Sequence, residues 1–144
     1  MDKIIQEKTF EKARKAIKSS KPPIIFTSND DDLNRKILEK ENINILLINQ
    51  SNKKDYQKQR NSGFNQVMAK LAKKNNITIA INIDEITNSQ SKEKADILAR
   101  IQQNIKLCNK NKVKMTFIPK KDSHDLKALS LALGMPTWMF QSFK

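Results

Sequence analysis

The sequence predicts an α/β fold, a parallel sheet of βα units. Two observations carry that prediction. Short apolar runs (Ile24-Ile25-Phe26, Ile43 to Ile48, Ile77 to Ile81 and Val113 to Ile118) recur between longer segments of helical periodicity. Those runs are almost continuously apolar rather than alternating, as in strands covered on both faces. The chain has 144 residues, 2 glycines, no internal repeat and no long linker, which fits a single domain over 1–144. Either an open layered sheet or part of a (β/α) barrel fits. Four or five βα units are too few for the eight of a full barrel, which takes roughly 250 residues.

The elements follow in order. Asp2 to Ser19 reads as a helix with Phe10, Ala13 and Ile17 on one side, an N-terminal helix occupying 1–20 ahead of βα units over 21–140. Lys21-Pro22-Pro23 stops it, and Ile24 to Phe26 is the first strand. Asp30 to Glu41 is helical, with Leu33, Ile37 and Leu38 inward and aspartates at its start, where the helix dipole favours them. Ile43 to Ile48 is a strand. Ser62 to Asn75 is the clearest helix, striped by Phe64, Val67, Met68 and Leu71. Ile77 to Ile81 is the next strand. Lys92 to Asn111 is a long helix carrying Ile97, Leu98, Ile101, Ile105 and Cys108. Val113 to Ile118 is a strand, and Asp125 to Leu133 a helix closed by Gly134 as a left-handed cap. Met135 to Phe140 is a candidate terminal strand.

Charge bears on function. Lys+Arg number 28 against 15 Asp+Glu, a formal net charge of +13. An A+T-rich codon bias would enrich Lys, Asn and Ile, yet it would raise Glu as well and leaves the surplus unexplained. Such self-repulsion is usually tolerated because a polyanion neutralises it, so contact with nucleic acid is expected. No apolar run approaches the roughly 18 to 20 residues of a membrane span, and the N-terminus has no apolar signal-peptide region. One cysteine excludes an internal disulfide, so a reducing cytoplasm is the expected compartment.

In a parallel sheet the segments after each strand share one rim, where function usually sits. The segment from Asn49 to Gly63 is long, polar and basic. Lys53, Lys54, Lys58 and Arg60 suit phosphates, and Tyr56 suits an unpaired base. Gly63 lets backbone come close at a helix start, and the same rim gains Lys120 and Lys121. The bland alternative is a solvated loop whose lysines contact nothing. Ser123-His124-Asp125 cannot form a catalytic relay, since adjacent residues diverge around a turn; Ser123 reads as an N-cap. Asp30-Asp31-Asp32 reads as capping rather than a metal site. Asp84 and Glu85 follow a strand as catalytic carboxylates do, but with one histidine in the chain a metal site would rest almost wholly on oxygen ligands. Cys108 reads as inert core, and Trp138 as a cover for the core or an anchor for a partner. A glycine-rich phosphate loop is missing, so nucleotide hydrolysis is not expected.

The run Arg60-Asn61-Ser62-Gly63-Phe64-Asn65-Gln66-Val67-Met68-Ala69-Lys70-Leu71-Ala72-Lys73-Lys74-Asn75-Asn76-Ile77 resembles the signature of the ribonuclease P protein component 3 family, the thirty-kilodalton subunit of archaea and eukaryotes. Ala95 to Cys108 is similar to that family's long helix, and His124-Asp125-Leu126-Lys127-Ala128-Leu129 through Leu133-Gly134-Met135 to its closing segment. The resemblance runs in order from about Ile24 to Met135. It implies a TIM-like barrel that binds ribonuclease P RNA, pairs with a small ferredoxin-like-fold protein subunit and contacts precursor tRNA indirectly. Cleavage would belong to the RNA and its magnesium ions; the chain would supply no catalytic residue, metal ligand or cofactor of its own. Carried over by position, the RNA-binding residues are Arg35, Arg60, Lys74 and Lys121, with Lys53 and Lys54 added on charge and location. Family members are usually longer at the N-terminus, so the barrel is expected to be incomplete, its open side covered by the N-terminal helix, another copy or the partner subunit. The competing classes are a metal-dependent phosphoesterase using Asp84 and Glu85, and a general basic RNA-binding module of ribosome assembly.

Overall fold

A computed structural model of the chain describes residues 3–51, 53, 55, 60–119 and 122–141. Five strands form one parallel sheet in the order β1 (Ile4–Gln6), β2 (Ile25–Thr27), β3 (Ile45–Ile48), β4 (Thr78–Asn82) and β5 (Met115–Ile118). Between them run α1 (Phe10–Lys18), α2 (Asp31–Lys40), α3 (Gln66–Lys74), the short α4 (Ile83–Asn88) and the long α5 (Ser91–Asn111), with α6 (Ser123–Ala132) last. The α/β class and the parallel βα units are as the apolar runs predict. Spatial order equals chain order, which with right-handed crossovers places every crossover helix on one face.

The core agrees. Phe26, Leu46, Ile48, Ile79, Ile81 and Phe117 join the inward residues of the helices in one large apolar cluster. The opposite face holds a second cluster made only of strand residues, Ile25, Ile45, Leu47 and Ala80, with Ile118 against it. These four are no more than 4% exposed, so both faces of the central strands are buried and the apolar runs need no alternation.

Local chemistry sets most boundaries. Asp30 accepts from the N–H groups of Asp32 (3.0 Å) and Leu33 (3.3 Å), so the aspartate run caps α2 as expected. Asn65 caps α3 by accepting from Met68 N–H at 2.9 Å. The last helix begins with Asp122, which accepts from His124 and Asp125 N–H, and not with Ser123 as its cap. Gly134 has φ +96°, the left-handed turn expected there.

Three further expectations need correction. The first described residues are not helical: Ile4–Gln6 is an edge strand in register with Ile25–Thr27, and the helix starts only after Thr9, whose hydroxyl accepts from Lys12 N–H. A three-residue strand is too short to show a period of two, and the helical periodicity that begins at Phe10 does not reach back over it. Val67, read as inward, is 49% exposed; Met68, Ala69 and Ala72 carry the buried side of α3. Beyond α6 the terminal strand shrinks to a bridge between Met115 and Phe140.

Candidate functional site

The C-terminal ends of the strands carry a chain of small polar side chains. Asn82 donates to Asn49 Oδ1 (2.9 Å), Asn49 to Thr27 Oγ1 (3.2 Å), and Thr27 to the Leu47 carbonyl (2.8 Å). This ladder satisfies polar groups across β2, β3 and β4 where the apolar face ends.

The segment between β3 and α3 starts from this ladder and is gripped from two sides. Both Glu85 carboxylate oxygens are occupied by backbone, accepting from Gln50 N–H at 2.7 Å and Ser51 N–H at 2.6 Å. From α5, the buried Arg100 donates to Asp55 Oδ1 (2.9 Å), the Gln50 carbonyl (3.3 Å) and the Lys53 carbonyl (3.0 Å). One turn on, Asn104 donates to the Ser62 carbonyl, and Gln103 to the Arg60 carbonyl and the Ser62 hydroxyl. The Arg100 hydrogen bond holds the Asp55 carboxyl below its ordinary range, helped by the Asn61 N–H and opposed by burial. A basic-looking loop is thus tied to the scaffold by charge-assisted bonds.

Among the described residues, the predicted basic side chains do not converge. Lys53 is committed to Asp31 at 3.0 Å and only 12% of its side chain is exposed. Its ammonium lies against Gly63, where a Cβ would sit 2.9 Å from Lys53 Nζ; with φ +73° this explains the glycine by the pair it accommodates rather than by an approaching anion. Arg60 is held by Asp55 (3.3 Å) and Asp96 (3.6 Å). Arg35 is exposed on α2, lining a 480 Å³ groove with Lys8, Phe10, Asp32, Lys36 and Glu39. Lys74 ends α3, at the opposite end of the sheet from Lys53 and Arg60. Lys54 and Lys121 lie outside the described residues, as do Tyr56, Lys58 and Lys120.

Carboxylates crowd the same rim. Asp30, Asp31 and Asp32 open α2, Asp84 and Glu85 open α4, Glu93 lies in the first turn of α5, and Asp122 precedes α6. Asp84, Glu85 and Glu93 line a 200 Å³ cleft with Ser51, but Glu85 spends both oxygens on backbone amides. Glu85 therefore serves to hold the loop backbone in this structure. Cys108 is fully buried and burial pushes its thiol up to about 12, the inert core residue expected.

Arg100, Gln103 and Asn104 are the residues that sequence reasoning missed. Their signal was present: Arg100 and Asn104 stand four apart on the side of α5 that carries Ile97, Ile101 and Ile105, where a charged group is retained only with partners.

Among models of known protein families none matches the chain. Ribonuclease P protein component 3 of Methanococcus maripaludis strain C7 is 27% identical over 101 residues, covering 70% of this chain and 41% of that protein. The protein of the same name from Methanococcus vannielii is 26% identical over 87 residues, covering 60% of this chain and 35% of that protein. The chain therefore spans about two fifths or less of the length of these curated relatives. A chain in a cryo-EM structure of archaeal ribonuclease P with mature tRNA superposes with a TM-score of 0.75 at 22% identity, over 94% of this chain and 61% of that one, which establishes a shared fold. The resemblance read from the signature helix is borne out: the chain is related in sequence to ribonuclease P protein component 3.

Proposed function

We propose that this chain serves as a protein subunit of ribonuclease P, gripping the folded RNA that removes the 5′ leader from precursor tRNA. The relationship in sequence to ribonuclease P protein component 3 carries this reading. A net charge of +13 supports it, since neutralising phosphates is what a basic subunit contributes to an RNA enzyme. The chain's own role is read as non-catalytic, a reading supported by Glu85, one of the two carboxylates of the competing phosphoesterase reading, holding the loop backbone with both oxygens. Magnesium at the scissile phosphate would be held by the RNA, and lysines replacing diffuse counterions would lower the magnesium it needs.

The finer architecture belongs to the same proposal. Consecutive strand order with helices on one face, and an inner face of strand residues buried against one another, suit a sheet curling as the staves of an incomplete TIM-like barrel. A small ferredoxin-like-fold protein is the expected companion subunit, a second copy an alternative neighbour, and the cytoplasm the expected compartment.

Reconstitution tests the function. Ribonuclease P RNA, the presumed companion subunit and this chain are combined, and precursor-tRNA cleavage is followed at limiting magnesium. Faster cleavage on adding the chain is expected, with a lowered magnesium optimum. An unchanged rate, or hydrolysis of precursor tRNA by the protein alone, would overturn the reading. Equal affinity for unrelated structured RNAs, with no effect on cleavage, would place the chain among general RNA-binding modules.

A further inference from the structure

We infer that the chain meets RNA phosphates at the N-terminal ends of its strands, the rim opposite the long polar loop, with Lys112, Lys114 and Trp138 at the centre of the contact. This rests on the RNA-binding reading above and assigns it a surface.

Backbone hydrogen bonds align that rim. Asn44 N–H donates to the Ile24 carbonyl, Thr78 N–H to Asn44, Ile79 N–H to Lys114, and Met115 N–H to Met139, each at 2.9–3.1 Å. The residues just before these positions, together with the C-terminal turns of α1, α2, α3 and α5, therefore share one edge. Cations accumulate there: Lys18, Lys40, Lys74, Lys110, Lys112 and Lys114 are all exposed, and none has a carboxylate within 4.0 Å among the described residues. Of the acids beside them, Glu41 is paired with Arg14 at 3.2 Å with its side chain 10% exposed, while Glu39 is exposed and lines the groove along α2 together with Lys40.

A helix dipole attracts cations to a C-terminus, which accounts for Lys18, Lys40 and Lys110 without any ligand. It does not account for Lys114, which lies in the connection into β5, nor for where its ammonium points. Lys112 Nζ and Lys114 Nζ sit 5.2 and 5.4 Å from the centre of one indole ring, that of Trp138, and Lys114 also donates to the Trp138 carbonyl. Trp138 itself packs on the core, so the ring is a fixed post holding two like charges together. Two like charges gathered on one side chain, with no carboxylate within 4.0 Å among the described residues, suit a phosphodiester backbone in sign. The opposite rim has the reverse character among its described residues, where Lys53 and Arg60 are neutralised by Asp31, Asp55 and Asp96.

The test measures binding of the full chain to ribonuclease P RNA across a salt series. Lys112→Gln with Lys114→Gln is compared with Lys12→Gln with Lys106→Gln, which removes the same charge from exposed outer helix faces. The first variant is expected to bind at least roughly tenfold more weakly near 0.15 M salt, with the salt slope reduced by about 1.5, and the control less than about twofold more weakly. Circular dichroism melting curves matching the wild type exclude misfolding. Equal losses in both variants, or none in either while the wild type binds, would overturn this surface and leave the RNA-binding reading standing. A wild type that fails to bind RNA, or prefers an acidic protein, would overturn both.

Discussion

At the scale of single residues, Arg100 decides most. Its guanidinium donates to one carboxylate and two carbonyls from a helix face shared with Ile97, Ile101, Asn104 and Ile105, so truncation leaves three acceptors short of a donor. Arg100→Ala is expected to destabilise the fold by about 3–5 kcal/mol in urea unfolding, the range for breaking a buried ion pair; a loss under about 1 kcal/mol would mean the loop is held without it. Lysine at that position cannot make three directed bonds and should recover only part of the loss. The partner titrates in a direction the geometry fixes. Asp55 is lowered in the folded state, so its contribution is complete above the ordinary carboxylate range near 3.8 and is lost as pH falls through that range and below it. Acid unfolding of Asp55→Asn should accordingly be shallower than that of wild type below about pH 4. Cys108 supplies a check on the core: a thiol pushed up to about 12 and fully buried should resist a disulfide reagent at pH 8 until denaturant is added. Reaction in native buffer would contradict its placement. The sequence made Cys108 readable through its apolar stripe, but a polar residue on such a stripe announces only that it needs partners, and the partners of Arg100 lie 45 to 50 residues away.

At the scale of elements, periodicity spoke clearly wherever an element was long. The stripe of α5 and the start of α2 at Asp30 follow directly from 3.6-residue spacing and an N-cap aspartate. It failed where elements are short: β1 has three residues and α4 six, and each is specified by what it pairs with or packs on. Val67 failed for another reason, since a nine-residue helix lying on a sheet needs only a narrow apolar stripe, which Met68, Ala69 and Ala72 already fill. The segment between β3 and α3 was legible as long, polar and basic, but not as an element clamped by Glu85 and Arg100. Gly63 belongs to that clamp. Gly63→Ala meets φ +73° and the end of Lys53, whereas Gly134→Ala meets φ +96° and no atom within 4 Å. Both should cost about 1–2 kcal/mol for the left-handed backbone, measured by urea unfolding. Only Gly63→Ala should also displace the Lys53–Asp31 pair, so adding Asp31→Asn should be nearly without effect in its background but not in that of Gly134→Ala. Full additivity in both backgrounds would separate Gly63 from the ion pair.

At the scale of the whole molecule, charge is sorted along the strand direction. Aspartates and glutamates open α1, α2, α4, α5 and α6 at one rim and lysines close α1, α2, α3 and α5 at the other, as the dipoles prefer, yet the surplus of 13 positive charges remains to be neutralised. The total was legible from composition; its location was not, because position in sequence does not reveal which carboxylate faces which lysine. This arrangement predicts a change of sign. In the free protein, salt screens self-repulsion, so raising it from 50 to 500 mM should raise the melting temperature. With ribonuclease P RNA present, the same salt should lower it, because RNA bound to the folded state stabilises by mass action and salt weakens that binding steeply. At RNA about a hundredfold above its dissociation constant, the low-salt gain is about 2.7 kcal/mol, and it should vanish near 500 mM. Melting temperatures that move with salt in the same direction with and without RNA would show that the positive surplus is not matched to a polyanion. They would make it merely a tolerated feature of a lysine-rich surface.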